Sequence, residues 1–149
     1  IASNKALDIS NPIWYNIYND HFDFMKILNV IFAVLFVVFA ALQYNDPDPY
    51  IWIPIYLVSA YVCFQTYKGK FDKFSHWIII AFCTIYAVRL FIDPDGVMSW
   101  FKDHDAENLV QTMKATKPWI EQTREFGGLL MIIIIAAVNL ITNKKAVAK

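Results

Sequence analysis

Four long apolar runs restrict what this chain can fold into. They cover residues 27–44, 50–67, 76–92 and 126–142. Each run is close to the ~20 residues that a helix needs to cross a hydrocarbon core ~30 Å thick. In lipid every backbone N–H and C=O group must be paired within the segment, so such runs are expected to be helices. The sequence therefore predicts an all-α polytopic membrane protein, a bundle of four transmembrane helices.

Composition excludes several other classes of protein. Hydrophobic residues make up 58% of the 149 residues and charged residues only 17%, against about a quarter in soluble domains. Lys plus Arg and Asp plus Glu are both 13, so there is no basic excess for binding nucleic acid. Two cysteines are too few for a disulfide framework. The alternative of buried helices in a soluble bundle is disfavoured, because the first run has no broad polar face.

Residues 1–24 differ from the rest of the chain. They are rich in Asn, Asp and Tyr, whereas Met25 and Lys26 directly precede the first run. One interpretation takes Met25 as the natural start and residues 1–24 as upstream or added sequence. The alternative is an aromatic segment lying at the membrane interface. In both cases residues 25–149 are expected to form a single four-span domain.

The distribution of Lys and Arg predicts the orientation. Residues 68–75 and the C-terminal tail are rich in Lys, and Lys26 precedes the first run. The connections at 45–49 and 93–125 are mostly acidic. Because positive charge is retained on the cytoplasmic side, both termini are expected to be cytoplasmic, with the acidic connections outside.

Polar residues gather where the runs are expected to meet the outer surface. The candidate outer-rim site comprises Asn45, Asp46, Asp48, Arg89, Asp93, Asp95, Glu121, Arg124 and Glu125. Turn and capping chemistry explains part of this set, since Asp48 suits an N-cap and Pro49 the first position of a helix. Alternatively, the carboxylates could bind a divalent cation through hard oxygen atoms. No catalytic residue, resident metal or cofactor is predicted.

Arg89 is the one basic residue inside the third run. A charge is costly in lipid, so its guanidinium should either snorkel outward or pair with a carboxylate of the rim. We predict a pair. The expected partners are Asp93, Glu121 and Glu125.

Four further residues are candidates for helix packing. They are Asn29, Gln43, Gly128 and Asn139. Small residues that share a helix face with amides allow membrane helices to pack closely. With the first and last helices antiparallel, Asn29 should face Asn139 at the cytoplasmic end, and Gln43 should lie near Glu125 at the outer end.

The long connection between the third and fourth runs shows a helical stripe. Ala106, Leu109, Val110 and Met113 follow the i, i+3, i+4, i+7 pattern. Asp103 or Asp105 would cap such a helix, and Pro118 should begin the last span. The sequence thus predicts an outer interfacial helix between transmembrane helices 3 and 4.

Two motifs resemble the transmembrane protein 220 family. The first is Leu42-Gln43-Tyr44-Asn45-Asp46-Pro47-Asp48-Pro49, followed by Trp52 and Tyr56. The second is Glu121-x-x-Arg124-Glu125-Phe126-Gly127-Gly128-Leu129. The resemblance covers roughly residues 25–145. It implies a membrane protein of about four spans, found in bacteria and animals, without an assigned reaction, and it marks the rim residues for testing.

These observations predict an integral membrane protein of the bacterial cytoplasmic membrane. Its expected role is non-enzymatic, as a binding or accessory component of a membrane assembly. Its partners are then the lipid bilayer and other membrane proteins, with no nucleic acid. One alternative is ion or small-solute binding or transport at the outer acidic rim. Another is a membrane enzyme built on Glu121, Arg124 and Glu125.

Overall fold

The computed structural model describes residues 13–110 and 117–147, with side-chain surroundings for residues 23–110 and 117–143. The regular elements in these ranges are all helical, which confirms the all-α class. In chain order they are α1 (Ile13–Leu42), a 3-10 turn (Gln43–Asn45), α2 (Pro49–Tyr67), α3 (Lys73–Ile92), α4 (Val97–Lys102) and α5 (Pro118–Val147).

The four long helices alternate in direction. α1 packs mainly along α2, and α3 packs mainly along α5. At one end of the bundle, where α1 and α3 end and α2 and α5 begin, lie the carboxylates of Asp46, Asp48, Glu121 and Glu125. At the opposite end, the side chains of Asn29 and Asn139 meet. We call these the carboxylate end and the amide end.

Three helices in the described part of the chain are long and apolar enough to cross a membrane. These segments are Asp23–Asn45, Lys73–Ile92 and Pro118–Asn143. Between 22% and 39% of each apolar window is buried inside the protein, so most of its surface suits contact with lipid. α2 coincides with the second apolar run, but it does not reach the same hydropathy. Its several aromatic residues, Pro54 and Gln65 lower the average.

The core lies between α1, α2, α3 and α5. Phe36, Trp52 and Leu129 have no exposed surface. The Tyr56 ring packs against Phe36, with ring centroids 6.3 Å apart. On α2 the buried residues Trp52, Tyr56 and Ser59 share one face, as expected from helical spacing. The core therefore holds aromatic rings of α2 against both neighbouring helices.

The link between α2 and α3 is short and capped. Gly69 has a positive φ of 75° at the end of α2, a conformation that glycine adopts without a Cβ penalty. The Asp72 side chain then accepts hydrogen bonds from the backbone N–H groups of Phe74 (3.2 Å) and Ser75 (2.9 Å). The hydrogen bonds from Ser75 hold the pKa of Asp72 below its usual value. This cap fixes the start of α3.

The prediction of a helix from the stripe at residues 106–113 is wrong for residues 106–110, which the structure describes. The helix described in this connection is α4, which ends at Lys102, and residues 103–110 form turns, bends and irregular chain. Asp105 and Ala106 have positive φ angles of 48° and 50°, so the chain leaves helical geometry before Leu109 and Val110. Asp103 is the C-cap of α4, not an N-cap. Met113 lies outside the described residues.

The predicted boundary at Met25 falls inside α1. This helix is continuous from Ile13 to Leu42, whereas the segment apolar enough to cross a membrane begins at Asp23. Residues 1–12 lie outside the described residues. The natural start of the chain remains a prediction.

Candidate functional site

Four carboxylates converge at the carboxylate end. One oxygen each from Asp46, Asp48, Glu121 and Glu125 lies within 4.8 Å of the others. Glu121 and Glu125 are one turn apart on α5 and therefore point to the same side. Glu125 is the most buried of the four, with 9% of its surface exposed. The sequence predicted these residues for one rim, and the structure brings these four into one cluster.

The turn between α1 and α2 positions the two aspartates. Asp46 follows the 3-10 turn in an extended conformation, and its N–H donates to the Gln43 carbonyl at 3.1 Å. Asp48 occupies the N-cap position of α2, and Pro49 opens the helix. The Asp48 carboxylate, however, makes no capping hydrogen bond. Its oxygens are therefore not used by the helix and face the cluster instead.

The charges of the cluster are only partly compensated. Arg124 is the base that accompanies the carboxylates within the described residues, and it forms no ion pair with them there. Burial and the neighbouring Asp48 raise the pKa of Asp46, and Arg124 partly offsets this rise. Like charges this close disfavour each other's ionised form. A bound proton or cation would relieve the repulsion.

Trp52 lies beneath the cluster. Its ring has no exposed surface, and its indole Nε1 has no hydrogen-bond partner among the described residues. The N–H faces the Glu125 carboxylate without reaching hydrogen-bond geometry. A buried donor without a partner is uncommon in proteins. A small reorientation of Glu125 would satisfy it.

A crevice between α1 and α5 opens beside the cluster. Its volume is about 290 Å³. Three carboxylates of the cluster and Arg124 line its upper part, and Phe39, Leu42 and Met131 form apolar walls below. We call it the α1–α5 crevice. One part of the crevice is therefore lined by charged groups and the other part by apolar side chains.

Two adjacent glycines shape this crevice differently. A Cβ at Gly128 would collide with the Tyr56 hydroxyl, so glycine is what lets Tyr56 pack against α5. A Cβ at Gly127 would meet no atom within 4 Å. Gly127 therefore faces open space in the crevice, whereas Gly128 is a close contact between α2 and α5.

Arg89 does not make the predicted pair. It is exposed, and within the described part of the chain it has no ion pair with Asp93, Glu121 or Glu125. Its guanidinium carbon lies 5.6 Å from the Tyr86 ring centroid. An exposed arginine in the last turn of a helix can remain solvated while its stem covers apolar surface. It therefore needs no carboxylate partner.

The remaining rim residues lie apart from the cluster. Asn45 is exposed in the 3-10 turn. Asp93 accepts the Asp95 backbone N–H at 3.1 Å and the Gln122 Nε2 at 3.3 Å. Asp93 and Asp95 therefore form the turn between α3 and α4. Gln122 was not predicted, because nothing in its spacing distinguishes it from any polar residue in a first helical turn.

The amide end is built from neutral groups. The Asn29 and Asn139 side chains exchange two hydrogen bonds of 2.8 Å, and Asn29 also donates to the Met25 carbonyl at 2.9 Å. Both amides are almost fully buried, at 1% and 0% exposure. The structure thus places these two residues opposite each other. Gln43 lies at the other end of the bundle, where it lines the crevice together with Glu125.

A second polar group joins the α4–α5 connection to α5. Glu107 accepts the Lys117 ammonium and the Trp119 indole N–H, both at 2.6 Å. These bonds lower the pKa of Glu107, the bond from Lys117 most. His104 stacks on Trp119 with ring centroids 3.6 Å apart. The sequence does not reveal this stacking, because it depends on a chain reversal that no local spacing indicates.

This all-helical body, with three helices able to cross a bilayer, defines a polytopic helical membrane protein. The chain belongs to transmembrane family 220: the family described as "Transmembrane family 220, helix" matches residues 35–141. The match includes both motifs and all four carboxylates of the cluster, and it confirms the resemblance found in the sequence. Comparisons with curated proteins and with solved structures give no match.

Proposed function

We propose that this protein is a non-enzymatic, four-span membrane protein that binds a divalent cation at the carboxylate end. The observation that carries this proposal is the convergence of four carboxylate oxygens within 4.8 Å, accompanied by the single guanidinium of Arg124 in the described residues. The proposal departs from the sequence prediction of no bound metal and adopts the alternative of ion binding at the acidic rim.

The number of carboxylates in the cluster favours Ca²⁺ over Mg²⁺. Calcium–oxygen distances are about 2.3–2.6 Å, so two ligands on opposite sides of one ion lie ~5 Å apart. Mg²⁺ requires about 2.0–2.1 Å and hence a span of ~4 Å. Four carboxylate oxygens within 4.8 Å of one another can all reach one Ca²⁺, whereas Mg²⁺ usually keeps several waters and binds one or two carboxylates. Waters would complete the shell of either ion.

The surroundings of the cluster support the same ligand. Carboxylates near an apolar boundary gain more from a cation than exposed ones, because the effective dielectric constant is lower. In metal sites, a donor behind a ligating carboxylate orients it. The buried indole N–H of Trp52 could act in this way on Glu125 once the carboxylate turns toward an ion.

The packing of α2 supports a four-span topology. This helix has the length of a span, 19 residues, and it runs antiparallel to α1 and α3. Residues of the carboxylate cluster stand at both ends of the α1–α2 turn, so α2 starts at the same depth at which α1 ends. The Lys-rich segment at 68–75 supports cytoplasmic termini and a carboxylate end that faces outward.

Cysteine labelling tests the topology. Asn45→Cys at the carboxylate end and Lys70→Cys at the other end are both at exposed positions on either side of α2, and the native Cys63 and Cys83 are buried. An impermeant thiol reagent added outside intact cells should label the first variant and not the second. Labelling of only the Lys70→Cys variant would reverse the orientation, and labelling of both would remove α2 as a span.

Thermal unfolding in detergent tests cation binding. The melting temperature should rise with added Ca²⁺, roughly with the logarithm of its concentration once the site is occupied. The double variant Asp48→Asn/Glu121→Gln should lose this response. Asp95→Asn, which removes an exposed carboxylate outside the cluster, should keep it. An unresponsive wild-type protein, or an equal response in the double variant, would overturn the proposal.

The accessory role predicted from the sequence is compatible with cation binding, because a loaded cluster could contact a partner in the membrane. Purification from native membranes, followed by mass spectrometry of co-purifying proteins, tests that role. Recovery of the chain alone, with and without Ca²⁺, would argue against it.

A further inference from the structure

We propose that the α1–α5 crevice binds a phospholipid with a primary-amine headgroup. Its ammonium would lie among the carboxylates, its phosphate against Arg124, and the start of its acyl chains along the apolar walls. The inference rests on the proposed function in one respect, namely that the cluster is a site for positive charge.

The crevice opens on the side of the bundle. Leu42 and Met131, which line its apolar part, are 49% and 40% exposed. Met131 lies six residues beyond Glu125 on α5, which places it ~9 Å further along the helix axis. The crevice therefore runs from the charged cluster into the apolar depth of the bundle. A phospholipid likewise has a charged headgroup at one end and apolar acyl chains at the other.

Two features of α1 and α5 produce this opening. At the amide end, the hydrogen bonds between Asn29 and Asn139 hold the two helices together. At the carboxylate end, Gly127 contributes no side chain and faces empty space. The helices thus touch at one end and leave a crevice at the other.

The size of the crevice suits a headgroup and not a whole lipid. Its volume of about 290 Å³ is near the lower limit of ~300 Å³ for small-molecule sites. The headgroup and the first methylenes would fill it. The remaining chains would lie in the bilayer against the exposed apolar faces of α1 and α5.

The charges discriminate between headgroups. A primary ammonium has three N–H donors, and Asp46, Glu121 and Glu125 line the crevice as acceptors. Arg124, in the same wall, matches a phosphate, which guanidinium groups bind with two parallel hydrogen bonds. A trimethylated ammonium has the same charge and no donors. The site should therefore prefer phosphatidylethanolamine to phosphatidylcholine.

Native mass spectrometry of the delipidated protein in detergent tests this preference. With identical acyl chains, phosphatidylethanolamine should bind about tenfold more tightly than phosphatidylcholine, the ratio that one or two charge-assisted hydrogen bonds provide. Asp46→Asn/Glu121→Gln should reduce the ratio to about one. Ca²⁺ should displace phosphatidylethanolamine and leave phosphatidylcholine adducts unchanged, because the ion and the ammonium use the same carboxylates.

Two substitutions on α5 separate the crevice from the rest of the surface. Gly127→Leu places a side chain in open space and should fill the crevice, so phosphatidylethanolamine binding should fall to the level of phosphatidylcholine. The Ca²⁺ shift in melting temperature should persist, which also shows that the variant is folded. Ile134→Phe, at a 58% exposed position outside the crevice, should change neither measurement.

The outcomes distinguish the two proposals. Equal binding of the two lipids, or unchanged phosphatidylethanolamine binding in Gly127→Leu, would overturn the lipid site. If the Ca²⁺ shift is still present in that case, the proposed cation binding stands. A headgroup preference without any response to Ca²⁺ would support the lipid site and overturn the divalent cation.

Discussion

The two ends of the bundle both carry buried or half-buried polar groups, but in the described part of the chain the amides at one end have hydrogen-bond partners and the clustered carboxylates at the other lack them. At the amide end, Asn29 and Asn139 satisfy each other with two hydrogen bonds and carry no net charge. At the carboxylate end, four acids gather around one arginine, and the indole N–H of Trp52 has no partner in the described residues. The first arrangement is complete within the chain. The second leaves a repulsion between carboxylates that a bound proton or cation would relieve.

This difference separates a structural polar pair from a candidate site. Amide pairs between membrane helices contribute on the order of 1 kcal/mol, and they fix the register of the helices they join. Clustered carboxylates instead oppose folding unless their charge is neutralised. Polar groups that a fold does not use for its own stability are the better candidates for function. The predictions that follow test whether the two ends differ in this sense.

The largest effect should come from Gly128→Leu. A side chain at this position collides with the buried Tyr56 ring, so either this ring or the helices α2 and α5 must shift at the carboxylate end. Overpacking of this kind costs about 1–3 kcal/mol, and occasionally more. Gly127→Leu is the matched control, because it adds the same side chain one residue away in open space. Equal melting temperatures for the two variants would show that the Tyr56 contact does not hold the crevice in shape.

Asn29→Leu tests whether the amide end is purely structural. The substitution should lower the stability by about 0.6–1.7 kcal/mol, the range for hydrogen bonds between membrane helices. The double variant Asn29→Leu/Asn139→Leu should lose less than the sum of the two single variants, since neither amide is then left buried alone. The Ca²⁺ response should be unchanged in all three. Additive losses would show that the two amides act independently.

In the absence of a ligand, Asp46→Asn should raise the stability of the folded protein, whereas the two preceding substitutions lower it. Burial and Asp48 raise the pKa of Asp46 in the folded protein, so its contribution to stability is lost as the pH rises through that pKa. At neutral pH the amide avoids this loss. The gain should be below about 1 kcal/mol, because the group is partly exposed and screened by solvent. The same variant should respond less to Ca²⁺. A lower melting temperature without ligand would show that Arg124 already compensates the cluster.

Much of the fold could be predicted because it depends on local composition. The apolar runs predicted the helices, and the spacing of small residues and amides placed Asn29 opposite Asn139. The candidate rim included all four carboxylates of the cluster. These predictions needed only the helical period and an antiparallel arrangement of the first and last helices.

The features that sequence reasoning missed depend on which surfaces meet. The stripe at residues 106–110 has helical spacing, yet positive φ angles at Asp105 and Ala106 break the helix. The role of Trp52 depends on Glu125, which lies 73 positions away in the chain. Arg89 was predicted to pair with a carboxylate because an unpaired charge is costly in lipid. Its position at the exposed end of α3, which removes this cost, could not be read from the sequence. Tertiary contacts override local patterns in each of these cases.

Glu107 provides the smallest and most specific test, because it is a carboxylate near the same end that already has partners. Hydrogen bonds from Lys117 and Trp119 lower the pKa of Glu107 in the folded protein. Its contribution to stability is therefore present above the unfolded pKa and is lost as the pH falls through the folded value, which is the opposite direction to Asp46. Glu107→Gln should lower the melting temperature slightly at neutral pH, and the difference from wild type should shrink toward about pH 4. If the difference instead grew on acidification, Glu107 would resemble the cluster, and the contrast between satisfied and unsatisfied polar groups would fail at this residue.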